Sequence, residues 1–277
     1  DQHIDSGAKV TVAGIRCARK DSEQFGVISP GEGTKISAFL EKPHPDSIDG
    51  LADAPDQILA SMGNYVFSTD ALVDLLHEDA DQAASRHDVG GDLIPAMVAT
   101  GDAHVYDFTT NIVPGQRDDT HYWRDVGTLD SYYDAHMDLV GDFPAFDLYN
   151  DSWPIFTMGR NHPPAKIVND GDHGASRVER SLLSNGVIIA GAEVTGSVLS
   201  PGVRVQGGAV VEDSILLDDV VVESGAVVRR AVLDKNVVVP ADVSIHGDAE
   251  CAGTHTVSDS GIVVVAKGAE IGPGSTD

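Results

Sequence analysis

Apolar positions change their period along this chain, and the change divides it in two. In the first half, short apolar runs alternate with helical stretches. Lys9–Cys17 (KVTVAGIRC), Lys35–Pro43 (KISAFLEKP, stopped by proline) and Ile58–Phe67 (ILASMGNYVF) read as strands. Thr69 is expected to cap a helix carrying Leu72, Val73, Leu75 and Leu76 along one side. A second helix is predicted over Gly91–Ala99, then a short strand over His104–Phe108. Leu129, Tyr132, Tyr133, Met137 and Val140 recur at helical spacing. This alternation predicts an α/β layer over residues 1–143.

From about Pro144 the pattern dissolves into proline, aspartate and glycine, which reads as a connector over 144–178. After Glu179 the chain repeats itself. Units beginning at Ser197, Ser214 and Ala231 are each offset by 17 residues, so Val198, Ile215 and Val232 correspond, as do Val203, Val220 and Val237, and Val205, Val222 and Val239. One such unit cannot bury its own aliphatic side chains, whereas stacked units can. Residues 179–277 are therefore expected to form a parallel β-helix.

Charge and cysteine content narrow the function. With 18 basic against 44 acidic residues the formal net charge is −26. Such a field repels nucleic acid and anionic membranes, and neither is expected as a partner. No apolar run approaches the roughly 20 residues that span a bilayer. Cys17 and Cys251 stand far apart without metal-type neighbours, so neither a disulfide framework nor a zinc site is expected, and a reducing cytoplasm fits best.

Four short segments could carry chemistry. Gly26, in FGV, permits close approach of backbone to a ligand, and equally serves a strand-end turn. Glu41 and Lys42 end a strand, where α/β sheets bind ligands. The lysine suits a phosphate and the glutamate suits sugar hydroxyls, although the two also suit an exposed ion pair. Ser61 offers a hydroxyl beside an apolar strand, or is a buried serine bonded to backbone. In YWRDVGT, Asp125 could hold Mg²⁺, which takes one or two carboxylates together with phosphate oxygens, or Arg124 and Asp125 could be a structural pair fixing the loop.

Taken in order, GAKVTVAGI, FGV, FLEKP, LASMGNYVF, HDVGGDLIP, YWRDVGT and PPAK, spanning residues 7–166, resemble bacterial glucose-1-phosphate adenylyltransferases (ADP-glucose pyrophosphorylases). The resemblance implies an α/β, Rossmann-like nucleotidyltransferase domain, present in part, followed by a left-handed parallel β-helix. It implies transfer of an adenylyl group from ATP to α-D-glucose 1-phosphate, with pyrophosphate released, for glycogen biosynthesis. It assigns Gly26, Glu41, Lys42 and Ser61 to glucose 1-phosphate, Asp125 to Mg²⁺, and catalytic roles to Lys42 and Asp125. It implies a homotetramer under small-metabolite allosteric control, with effectors bound near the junction of the two domains; Arg160, Lys166 and Arg177 lie near that junction and serve either effectors or simply as solvated cations. The family's glycine-rich ATP loop has no counterpart in these residues. Because the chain also starts at Asp1 rather than Met, it is expected to be an N-terminally truncated, inactive fragment. Two alternatives remain, a non-catalytic regulatory or assembly subunit and another sugar-1-phosphate nucleotidyltransferase. Acyltransferases and carbonic anhydrases built on β-helices need histidines on the coils, and none lies between Ser181 and Ile245.

Overall fold

In the computed structural model, residues 1–116, 121–157, 159–247, 255–269 and 271–272 are described. They group into two compact units, Asp1–Val113 and Pro114–Asp277.

The first unit is built on five strands: β1 (Val10–Ala18), β2 (Gly26–Pro30), β3 (Ile36–Glu41), β4 (Gln57–Phe67) and β5 (Ala103–Asp107), in the order β3-β2-β4-β1-β5. The sheet is mixed, not parallel throughout as an α/β alternation suggests. A tight turn joins β2 to β3, which forces an antiparallel hairpin. β4 is antiparallel to both β1 and β2, and only β1 and β5, joined by a long crossover, run parallel. Val10, Val12, Ile28, Phe39 and Leu59 point to one face. There they meet Leu75 of the helix α2 (Thr69–Ala80) and Ile94 and Met97 of α3 (Ile94–Thr100). The first of these helices is capped by Ser68, not Thr69, and without a side-chain cap bond, because the Ser68 hydroxyl turns away to the Ala8 carbonyl. The second opens with a π-turn over Val89–Leu93, which the periodicity did not show.

The second unit is a coil of three parallel sheets. Strand registers follow the repeat: Val198 pairs with Ile215 and Ile215 with Val232, while Val205 pairs with Val222 and Val222 with Val239. One aliphatic residue per coil points inward from each sheet. Val194, Val211, Val228 and Ile245 line the first, Leu199, Leu216 and Leu233 the second, and Ile189, Val205, Val222 and Val239 the third, all at most 1% exposed. One corner is turned in left-handed backbone by Gly202, Asp219 and Asn236, again 17 residues apart, residue types that bear that conformation at least cost. Inside another corner, Ser181, Ser197 and Ser214 stack as a ladder. Each hydroxyl accepts the N–H of the residue one coil on and donates to a carbonyl of its own coil.

The coil starts earlier than the repeat indicates. Lys166–Val168, inside the expected connector, and Arg177–Glu179, at its end, already pair with Ile188–Ala190 and Glu193–Thr195. Their sequence hides them because the glycine-rich turn between them breaks the 17-residue offset. A further difference concerns α4 (Leu129–Leu139), which the helical spacing assigns to the α/β half. It belongs to the second unit, with buried Tyr133 packed on Ile215, Val232 and Ile262. The Tyr133 hydroxyl donates to the Asp213 carbonyl, and Asp130 accepts from Ser258 and Ser260.

Candidate functional site

The end of the β2–β3 hairpin brings three of the candidate residues together. Gly26 pairs with Glu41 across the hairpin, so both face the same side as the Phe39 ring. A side chain at Gly26 would run into that ring and come within 3.1 Å of the Glu41 carboxylate. Gly26 is thus obligatory for packing, and it is buried beside Glu41. Lys42 follows in left-handed backbone (φ 49°), its N–H held by the Phe25 carbonyl. That turn carries its ammonium out of the strand. The side chain is 60% exposed, and its Nζ lies 4.0 Å from Glu41 Oε1, too loose a pairing to consume the charge.

Ser61 sits on β4, where the ladder with β1 shifts register between Val12 and Gly14. Met62, Gly63 and Asn64 bulge out at that point, with Gly63 at φ 72°. The bulge turns Ser61 and Tyr65 towards each other: the two hydroxyl oxygens are 3.4 Å apart, and Ser61 Oγ accepts the Gly63 N–H at 3.3 Å. Ser61 is 6% exposed and bonded to backbone, as the reading of it as a buried serine expects.

Residues without an assigned role complete this site. The HDVGGDLIP segment brings Gly90 against Glu41: a Cβ at Gly90 would lie 2.6 Å from Glu41 Oε2. The Glu41 carboxylate is therefore seated between two glycines, Gly26 and Gly90. Tyr65 is beside it. Burial pushes the Tyr65 hydroxyl above its ordinary pKa, and the Glu41 and Asp88 carboxylates push in the same direction, while the Ser61 hydrogen bond opposes them. Tyr65, in contact with Ser61 at 3.4 Å, and Asp88, whose Oδ1 would lie 3.6 Å from a Cβ at Gly90, are further polar groups next to these candidates. The paired glycines beside an aspartate were the available signal, but a glycine's role in approaching another side chain cannot be read until that side chain is located.

Asp125 belongs to the second unit. Its carboxylate folds back over Gly127, where an added Cβ would lie 3.0 Å from Oδ2. Arg124 does not pair with it but reaches Asp138 at 2.5 Å, which removes the structural Arg124–Asp125 pair from consideration and leaves the Asp125 carboxylate exposed. Among the described residues no group of three or more His, Cys, Asp or Glu is placed to hold a metal. A single exposed carboxylate fits Mg²⁺ in the mode where phosphate oxygens and water fill the remaining positions. Two of the three junction cations are already engaged. Arg160 pairs with Asp218 and Asp219, and Arg177 with Glu179 and Glu193, whereas the Lys166 side chain is exposed at the edge of the third sheet.

Two cavities in the first unit lie away from this site. One of 470 Å³, lined by Val27, Leu40, Ile48 and Ile58 among others, is reached from side chains that alternate with Gly26 and Glu41. The other, of 290 Å³, lies behind the 85–92 turn against Leu75, Glu78, Asp79 and Ala96.

Comparison with known proteins agrees with this architecture. Residues 1–141 match the nucleotidyl transferase family, and residues 163–265 match the GlmU-like C-terminal hexapeptide family, so the coil is a left-handed β-helix of hexapeptide type. A glucose-1-phosphate adenylyltransferase of Acidothermus cellulolyticus is 55% identical over 99% of this chain and 67% of its own length. One of Frankia casuarinae is 53% identical over 98% of this chain and 66% of its own, and one of Streptomyces coelicolor 52% identical over 75% and 50%. The chain thus spans about two thirds or less of the length of these relatives. Identity at this level across both units, together with the two family matches, shows that the chain belongs to the glucose-1-phosphate adenylyltransferase family of nucleotidyl transferases.

Proposed function

We propose that this chain carries the sugar-phosphate site of an enzyme that joins ATP and α-D-glucose 1-phosphate into ADP-glucose and pyrophosphate, as the names of its relatives indicate. The observation that supports this most is the Glu41 carboxylate seated between Gly26 and Gly90, with Lys42 extending from the same strand end. Glu41 accepts hydrogen bonds from the glucose hydroxyls. Lys42 places a full positive charge on the phosphate, inside a protein whose own net charge of −26 repels it. The backbone at Gly26 lets the sugar approach, and the Ser61 hydroxyl contacts the sugar.

In the reaction an oxygen of the sugar phosphate attacks the α-phosphorus of ATP, and pyrophosphate leaves from the opposite side. No covalent protein intermediate is required, so the residues act by alignment and by offsetting charge. Asp125 is the residue here that would hold Mg²⁺, and such an ion offsets the charge on the phosphates when bound. The same reading places the enzyme in the cytoplasm in glycogen synthesis, as a homotetramer regulated by small metabolites. No helix among the described residues is long and apolar enough to cross a membrane.

The test is calorimetric titration of the 277-residue chain with α-D-glucose 1-phosphate, beside the Lys42→Ala variant. Losing one charge-assisted hydrogen bond of about 1.5–3 kcal/mol should weaken binding roughly 10- to 150-fold. In the full-length protein the same change should raise KM for glucose 1-phosphate far more than KM for ATP. Equal effects on the two substrates would take Lys42 out of its assigned place.

A further inference from the structure

We propose that Asp79, through Ser85 and His87, is a positioning clamp that sets the sugar-discriminating wall of the site by fixing the turn whose Gly90 backs Glu41. The proposal rests on the reading of Glu41 as the group that meets the glucose hydroxyls. Asp79 lies in the last turn of α2, 9% exposed, and has both carboxylate oxygens occupied. Ser85 Oγ donates to Oδ1 at 2.6 Å, and His87 Nδ1 lies 2.6 Å from Oδ2. The His87 N–H donates back to Ser85 Oγ at 3.0 Å, closing a three-residue ring of contacts.

His87 needs such support. It stands at φ 58°, a conformation that costs a residue with a Cβ about 1–2 kcal/mol. Such backbone persists where surrounding contacts over-determine it. Beyond His87 the turn is closed from its other end: Asp92 Oδ2 accepts the N–H groups of Arg86 and Asp88, and Asp88 Oδ1 accepts the Gly91 N–H at 2.6 Å. Arg86, His87, Asp88 and Val89 are all exposed. Hydrogen bonds, not apolar burial, therefore set where this turn lies. Its position matters because Gly90 abuts Glu41 Oε2 with no room even for a methyl group. A turn released from Asp79 would let the Glu41 carboxylate swing, and Glu41 reads the sugar whereas Lys42 holds the phosphate. Consistent with this, the Ser85 and His87 contacts hold the Asp79 carboxyl below the ordinary carboxylate range, which keeps it charged as an acceptor.

The clamp predicts a loss confined to the sugar. Calorimetry on the 277-residue chain should show His87→Ala and Ser85→Ala each weakening α-D-glucose 1-phosphate roughly three- to tenfold. Binding of inorganic phosphate, followed by ³¹P NMR, should stay at the wild-type value. The preference for glucose 1-phosphate over galactose 1-phosphate should shrink. Asp79→Asn should keep near-normal binding, because an amide can accept from Ser85 through its oxygen and donate to the His87 ring nitrogen. Equal weakening of both ligands, or no weakening of glucose 1-phosphate, overturns the clamp. Should His87→Ala fail to fold, Ser85→Ala and Asp79→Asn decide the matter by the same comparison. Glu41→Ala separates the two levels: if it leaves glucose 1-phosphate binding intact, the reading of Glu41 falls and the clamp with it. If Glu41→Ala weakens binding while the clamp variants do not, only the clamp falls.

Discussion

One methyl group at Gly90 should separate binding from folding. The backbone there lies outside the left-handed region, so alanine is conformationally allowed, and replacing glycine at such a site stabilises a fold by about 0.4–1 kcal/mol through the unfolded state. What the methyl meets is the far end of a flexible side chain: Glu41 Oε2 at 2.6 Å and Cδ at 3.2 Å. The oxygen sits about 0.8 Å inside ordinary van der Waals contact. The carboxylate therefore rotates away, which is cheap, since among the described residues its one near ion partner is Lys42 at 4.0 Å and Glu41 is exposed. Displacing it forfeits a charged hydrogen bond to the sugar, about 1.5–3 kcal/mol, or roughly 10- to 150-fold in Kd. Gly26→Ala is the contrast. There the methyl runs into the Phe39 ring, which is 6% exposed and cannot turn away, so overpacking should cost about 1–3 kcal/mol of stability as well as binding. Paired urea unfolding and calorimetric titration of the two variants measure both quantities. Gly90→Ala with an unchanged Kd would refute the seating of Glu41 between the two glycines. Gly90→Ala with a lost fold would show that the backbone, not the carboxylate, takes the strain.

Two further outcomes follow from the geometry. Ser214→Ala should destabilise the β-helix by about 1–3 kcal/mol, because the buried Ala231 N–H loses its acceptor; an unchanged midpoint in denaturant unfolding would deny the ladder a role. The Cys17 thiol, pushed up to about 11 by burial and then by Asp21, should alkylate at pH 8 roughly a hundredfold more slowly than a free thiol and accelerate only as pH approaches that value, which peptide mapping after iodoacetamide treatment would show.

How much of this was legible in the residues depends on the range of the interactions involved. The β-helix was legible because its registers are set by a strict 17-residue recurrence, each aliphatic being buried by its copy in the next coil. Its start at Lys166 was not, since the turn over Asp170–Gly174 breaks the offset and only the pairing with Ile188–Ala190 reveals the strand. The strands of the first unit were legible from their apolar runs, but not their directions, which depend on which strands a hairpin or a crossover makes neighbours. Helix α4 shows the same limit. Spacing foretold the helix, while its docking through Tyr133 and Asp130 onto the coil is a matter of tertiary contact.

The candidate site divides along the same line. Gly26, Glu41, Lys42 and Ser61 could be nominated from the chemistry of short motifs, each with a bland rival reading. Folding brought Gly26 and Glu41 face to face, loosened the Glu41–Lys42 pair, and paired Arg124 with Asp138 in place of Asp125. It also added Gly90, Tyr65, Asp88 and the Asp79 clamp, whose significance lies in distances to residues remote in the chain. Local sequence by itself determined which segments are strands, helices and coils, because backbone propensity and apolar period act over a few residues. Only the tertiary structure decided which polar side chains share a surface, because that depends on register, crossover and close approach between segments the chain does not place side by side.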